Sequence, residues 1–289
     1  TALAVNALGT TSAVTLNVMN AYYKMMSDYG LNFWIGKFES PVGHETYNHM
    51  DNSQFNRSWG FNLAPFFSTG LGVDYGTDMW RVGLIASNGS GKDTDTNDLN
   101  KTIGLIVDID PMENLHIDLN YMTGREDNNG ALDTTTYLAN ILDVSASFMV
   151  NEMLDFALNY IDHGQEASAT GSKELKATSI AAYANANFGM FGLGLRYEMF
   201  DYDYGVAGYN GPANILPAPV AGTPGLTGNP GTDNSISSIT LTGKAEIDQN
   251  AAVVLEYKMD TSDDQVWTDT DGQATDSMST ITAGLMYRF

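Results

Sequence analysis

Large apolar side chains fall at every second position in segment after segment of this chain. In SITLTGKAEID, Ile239, Leu241, Ala245 and Ile247 alternate with Thr240, Thr242, Lys244 and Glu246. In AVVLEYKMD, Val253, Leu255, Tyr257 and Met259 oppose Glu256 and Lys258. MFGLGLRYEMF sets Phe191, Leu193, Leu195 and Tyr197 against Gly192, Gly194, Arg196 and Glu198. NLHIDLNYM sets Leu115, Ile117, Leu119 and Tyr121 against His116, Asp118 and Asn120, and MWRVGLIAS sets Trp80, Val82, Leu84 and Ala86 against Arg81, Gly83 and Ser87. Period two belongs to strands whose two faces meet different surroundings. Further strands are expected near 12–25, 29–38, 67–76, 101–110, 137–150, 153–163 and 174–188, which with the closing ITAGLMYRF makes thirteen. Strands of soluble sandwiches average about five or six residues, whereas about ten cross a bilayer at a tilt.

The connections alternate in length. Tight turns are expected at 27–30, 76–78, 110–113, 151–153, 187–190 and 248–250, and longer polar or Gly/Pro-rich segments at 39–66, 88–100, 124–136, 163–173, 205–234 and 261–275. Short turns at one end and long loops at the other describe an all-β, transmembrane, antiparallel up-and-down β-barrel. A soluble β-sandwich also alternates apolar and polar residues, but seldom keeps this order of connections. One barrel domain over 1–289 is expected, with 39–66 a candidate inward-folded constriction loop and 205–234 a long external loop. Bacterial barrels have even strand numbers. The odd count therefore points to N-terminal strands before this sequence or within residues 1–11, or to a strand in 55–66, with thirteen or fourteen visible and about sixteen when complete. The first residue is Thr1 and no signal segment is present, so the chain is expected to be processed or to begin partway into a longer protein.

Charge narrows the partners. Lys plus Arg number 13 against 35 Asp plus Glu, a net −22, which argues against nucleic acid, since phosphate binding needs a basic surface. The acidic excess suggests a cation preference. Acidic stretches at 93–98 and 268–276 read as solvated surface that divalent ions could bridge to lipopolysaccharide. Asp269-x-Asp271-Gly272 has part of a calcium-loop spacing but lacks the terminal Glu. The chain has no cysteine, so it has no disulfide framework and no thiol chemistry. No apolar run reaches the roughly 18 residues of a membrane helix.

The chain ends on Phe289, where a soluble protein would fray into polar residues. In a barrel, Tyr287 and Phe289 fall on the lipid face at the rim, in the aromatic girdle. Thr282, Gly284, Tyr287 and Phe289 also resemble the C-terminal targeting signal of bacterial outer-membrane proteins, which implies recognition by the barrel-assembly machinery. A second resemblance lies at 35–75. Gly36, Lys37, Phe38, Pro41, Gly43 and Glu45 match a G-K-F-x-x-P-x-G-x-E segment. Asn56, Arg57 and Ser58 match an N-x-S-R-S-like segment, with Asn56 where a serine often stands. Pro65, Phe66, Thr69 and Gly70 match a P-F-x-x-T-G segment. Over these forty or so residues the chain is similar to the β-barrel porins of the OmpL-like type. That resemblance implies an outer-membrane pore and leaves the solute open.

Parity assigns the candidate lumen residues: Asp74, Arg81, Asp108, Asp118, Arg196, Glu198, Lys244, Glu246, Glu256 and Lys258. Charged rings select ions, and opposite charges also pair across strands and hold a wall together. The segment 39–66 holds Phe55, Trp59, Phe61 and Phe66, with Phe67 just beyond it, which a wholly solvated loop would not need. It is expected either to narrow the barrel mouth, with Glu45, Asp51 and Arg57 facing the channel, or to pack on the wall as a plug or subunit contact. His44, His49, His116 and His163 show no metal-site spacing. No nucleophile elbow is present, and NGSGK at 88–92 lacks the spacing and helix of a phosphate loop. A non-enzymatic porin without cofactor is expected, passing small hydrophilic solutes or ions across the bacterial outer membrane, with a homotrimer plausible through the apolar wall. The rival readings are a plugged, surface-binding barrel and a secreted sandwich that binds carbohydrate through its aromatics.

Overall fold

The computed structural model describes residues 2–5, 14–17, 21–26, 30–89, 100–127, 136–166, 174–203 and 233–288. β1 (Ala2–Val5) and β2 (Val14–Asn17) pair with each other as a separate antiparallel unit. One sheet of thirteen strands contains β3 (Ala21–Met26), β4 (Leu31–Glu39), β5 (Phe67–Gly76), β6 (Trp80–Ser87), β7 (Thr102–Met112), β8 (Leu115–Asp127), β9 (Thr136–Asn151), β10 (Leu154–Gln165), β11 (Leu175–Phe188), β12 (Phe191–Asp203), β13 (Asn234–Asp248), β14 (Ala251–Ser262) and β17 (Ser277–Tyr287). Every strand runs antiparallel to the next one along the sheet. β15 (Trp267–Thr268) and β16 (Ala274–Thr275) form a small hairpin in the link between β14 and β17.

The sheet curls around the segment that joins β4 to β5. Pro41 O of that segment accepts from Asn120 Nδ2 on β8 at 2.9 Å, and Asn56 Nδ2 donates to Thr282 Oγ1 on β17 at 3.0 Å. On a flat sheet β8 and β17 would lie seven strand spacings apart, about 34 Å. One compact segment of chain reaches both because the wall wraps round it.

Outer and inner faces follow the alternation. Leu193, Leu195, Tyr197 and Met199 of β12 are exposed, as are Val253, Leu255, Tyr257 and Met259 of β14, while Arg196, Glu198 and Glu256 between them are buried. In water this arrangement would be inside out; in lipid it satisfies both faces and the backbone ladder. Tight turns and long links alternate from β3 to β17 as the sequence predicts, although part of the first turn lies outside the described residues. At the tight-turn end the exposed girdle is as rich in methionine as in aromatics: Met26, Met79, Met112, Met153 and Met190 stand there beside Trp80, Phe191 and Tyr287.

Two expectations need correction. The strand expected over 12–25 is two strands, with β2 paired to β1 and β3 to β4. Residues 55–66 form no strand; a 3-10 turn spans Gly60–Leu63. Several strands also outrun their apolar alternation. β8 continues through Gly124 and Arg125 to pair Asp127 with Thr136, and β13 begins at Asn234. A ladder needs only backbone partners, so pairing persists beyond the level where lipid demands an apolar face.

Trp34 shows how glycine shapes the inner wall. A Cβ on Gly72, opposite it on β5, would lie 2.2 Å from the indole. In the turn before β4, Gly30 takes φ 79°, and a Cβ there would lie 2.3 Å from Gly76 O.

Candidate functional site: a segment docked inside the sheet

Residues 40–66 are held against the inner face of the wall chiefly by their backbone. The Glu198 carboxylate accepts the N–H groups of Trp59 and Gly60 at 2.9 and 2.7 Å, and Ser179 Oγ donates to it at 2.8 Å. The Glu256 carboxylate does the same for Phe55 and Asn56, at 2.7 and 2.8 Å, with Thr242 Oγ1 at 2.5 Å. Asp143 accepts the Gly43 N–H at 3.0 Å and two Asn side chains, Asn120 at 3.1 Å and Asn159 at 2.6 Å. These loop amides have no ladder of their own, so side-chain carboxyl groups of the wall satisfy them.

Arg196 works from the opposite sign. It is fully buried on β12, pairs with Glu45 of the segment at 2.5 Å, and donates to the carbonyls of Asn56 and Arg57 at 3.0 and 3.1 Å. Glu45 also accepts from Ser58 N–H and Tyr183 Oη at 3.0 and 3.2 Å. The guanidinium fork thus meets one carboxylate and two carbonyls at once, which lysine could not do. Trp59 adds the apolar anchor. Its ring stacks on Phe200 with centroids 5.9 Å apart, its Nε1 donates to Asp260 at 3.0 Å, and Lys258 Nζ sits 4.9 Å above the ring. Val42, Leu63 and Ala64 pack with Trp59 on Met122, Ile141, Ile161 and Phe200, and Trp267 of β15 joins the same cluster.

Two segment histidines are tuned by this docking. Burial pushes the His44 imidazole below its ordinary value, against the pull of Glu45 and three aspartates, and its ring packs on Tyr183 at 4.6 Å. Burial also lowers His49, and the nearby Arg57 charge adds to that. Arg57 itself is lowered by burial; it lies 4.6 Å over Phe61 and donates to Tyr47 O at 2.6 Å.

The wall from β3 to β7 keeps a groove of about 260 Å³ beside the segment. Toward its tight-turn end runs a transverse row of polar groups. Asn32 donates to Asp74, Arg81 pairs with Asp108, Asp108 stands opposite Asp118 in register, and Ser145 donates to Asp118. His116 bridges Asp110 and Asp118 at 2.7 and 2.9 Å.

The profile of the beta-barrel porin-2 family, OmpL-like, matches residues 1–289. This chain belongs to that family. It is accordingly a β-barrel porin of the outer membrane. No curated protein matches the porin in sequence. Among solved structures it resembles outer-membrane-expressed OmpT of Vibrio cholerae, with 14% identity, 96% of this chain and 81% of that one covered, and a TM-score of 0.63. It also resembles the anion-selective porin from Comamonas acidovorans, with 12% identity, coverage of 92% and 76%, and a TM-score of 0.59. At such identities the likeness is one of fold.

The structure places the expected residues of this porin in three settings. Arg196, Glu198 and Glu256 are buried beneath the docked segment, and Lys258 is turned onto Trp59 and Asp260. Asp74, Arg81, Asp108 and Asp118 belong to the polar row, with Lys244 and Glu246 near the tight turns at 3.4 Å from each other. Of the segment's own charges, Glu45, which the constriction reading set facing the channel, turns to the wall and pairs there with the buried Arg196. Asp51 reaches Arg288, and Arg57 covers Phe61. Within the terminal motif, Thr282 and Gly284 face inward. Thr282 holds Asn56, and a Cβ on Gly284 would come within 3.2 Å of the Phe55 ring. Tyr287 points outward. Phe289, the acidic stretch 93–98 and most of 205–234 lie outside the described residues. Lys37, whose direction parity leaves ambiguous, sits over the Phe67 ring at 3.7 Å.

Sequence reasoning gave Asn120 its polar-face position but no role, and it missed Asp143 and Asp260. Both lie at inward positions, Asp143 between Leu142 and Val144 and Asp260 two places after Lys258, so carrying the alternation through them would have found them.

Proposed function

We propose that this porin lets small hydrophilic solutes and ions diffuse passively, by way of a passage confined to the β3–β7 side of the lumen. The observation that carries the reading is the asymmetric filling. The segment is clamped to β8–β17 by Asp143, Glu198 and Glu256, while the groove beside Trp34 and Arg81 stays open. The total acidic excess does not by itself carry a cation preference, because the carboxylates of Glu45, Asp143, Glu198, Glu256 and Asp260 are engaged in holding the segment. Ion preference in this reading depends on the charges left accessible along the groove. The apolar outer wall meets lipid, and a homotrimer would pack on that face.

One observation favours a second reading, a plugged barrel: the cluster around Trp59 and Phe200 seals the loop end of the lumen on one side. Planar-bilayer recording of wild type and of a variant lacking 44–64 separates the two. Stepwise openings in wild type, larger in the deletion, are expected. Silence in wild type with openings only in the deletion would establish the plug, and silence in both from folded protein would remove the pore.

A further inference from the structure

At its tight-turn end the groove on the β3–β7 wall sets its acids back: Asp74 is 2% exposed, and the Asp108 side chain 12%. The bases are forward: the Arg81 side chain is 45% exposed and Lys24 is exposed on β3. Arg81 Nε is taken by Asp108, and Arg81 Nη1 stands 3.9 Å from Asp74 Oδ2. Asp74 Oδ1 accepts from Asn32 at 2.6 Å, whereas Oδ2 has no hydrogen-bond partner among the described residues. The two acids therefore brace the guanidinium from behind and leave its terminal nitrogens facing the groove. Between Arg81 and the mouth the lining turns apolar: Trp34, Phe38, Ile85 and Ile106. Glu39 also lines the groove, at the loop end, and its Oε1 is occupied by the Tyr47 N–H. It stands at the level of Phe67 on β5, whereas Arg81 stands at the level of Gly76, about 30 Å along the strand, too far to neutralise Arg81.

We infer that this groove is a binding station for a small monocarboxylate with an apolar body, its carboxylate on the Arg81 fork and its body along Trp34 and Phe38. The inference rests on the porin reading for its purpose, but not for its test. A planar carboxylate matches two parallel guanidinium N–H groups, and a 260 Å³ groove accepts a phenyl ring on a short chain. Lys24 adds a second positive charge to the same wall without needing to touch the ligand.

The probes are 3-phenylpropionate, 3-phenylpropanol and 3-phenylpropylamine, which share a body and differ only in the end group. Isothermal titration of the detergent-folded porin is expected to show the acid binding about tenfold or more tightly than the alcohol, the step for one charge-assisted contact, with the amine weakest. Arg81→Gln should erase the acid's advantage over the alcohol, and Trp34→Ala should weaken acid and alcohol together. Equal binding of acid and amine, or an Arg81→Gln protein that keeps the acid's advantage, overturns the inference. If Arg81→Gln fails to show a folded, heat-modifiable band, the three-probe series on wild type still decides. Bilayer recording separates the two failures: acid binding without conductance removes the pore and keeps the station, while conductance without acid selectivity does the reverse.

Discussion

At the scale of single residues, the inner face is governed by buried charge. Arg196 and Glu45 are both buried, at 0% and 4% side-chain exposure. Removing one partner of such a pair strands the other, a cost of about 3–5 kcal/mol. Arg196→Met is therefore expected to release the docked segment. Hydrogen exchange over residues 55–60 should rise by two orders of magnitude or more, and Arg196→Met combined with Glu45→Gln should recover part of it; unchanged exchange in the single variant would contradict this account. His44 gives the segment a pH dependence. Its folded value is lowered from the ordinary 6.5 by burial, so the undocked state binds more protons. Docking is complete above pH about 6.5 and weakens as pH falls below it, and the lowered His49 adds in the same direction. Limited proteolysis of the segment should accelerate from pH 7.5 to 5.5 in wild type and much less in His44→Gln. Equal acceleration in both would place the titration elsewhere. Parity gave the inward direction of Arg196, Glu198 and Glu256 from the sequence. It could not give their partners, which include backbone amides and carbonyls 138 to 201 residues away. A backbone amide carries no sequence mark, so carboxylates that bind the segment read as carboxylates that face solute.

At the scale of elements, the strands were the most legible part, because lipid on one side and a polar or packed interior on the other enforce the alternation over most of each strand's length. Their ends were not, since pairing continues through Gly124 and Arg125 after the alternation has stopped. The link between β4 and β5 advertised its burial through Phe55, Trp59 and Phe61, but not which strands it would meet. Small residues facing it are part of the answer. Gly194 lies beneath Gln54, with a Cβ there only 2.7 Å from Gln54 Nε2, and Gly284 leaves room for Phe55. The same relation on the groove side yields a test. Gly72→Ala would set a methyl 2.2 Å from the Trp34 ring, overpacking that typically costs about 1–3 kcal/mol. The indole is expected to swing into the groove, seen as a shift in tryptophan emission and a fall in single-channel current. A variant with wild-type emission and current would show that the wall yields instead.

At the scale of the whole molecule, the ladder and the docked segment have opposite topologies. Along the sheet from β3 to β17, every strand pairs only with strands next to it in chain order. The segment leaves after the second strand of that sheet, yet binds β12, β14 and β17, with Asn56 and Thr282 226 residues apart. The strands can form as consecutive hairpins; the segment cannot find its partners until nearly all of them are in place. Docking of the segment is thus a late event in assembly, and the amides of residues 55 and 56 wait, without the Glu256 carboxylate, in every intermediate that lacks β14. A chain truncated after β12 and folded in detergent should leave the amides of residues 55 and 56 exchanging freely while β4 to β11 are already protected. Protection of those two amides at that stage would mean the segment docks by another route. If it does not, the narrowing of the lumen doubles as a mark of completion, and a barrel that has not received its last strand is also one that has not been closed.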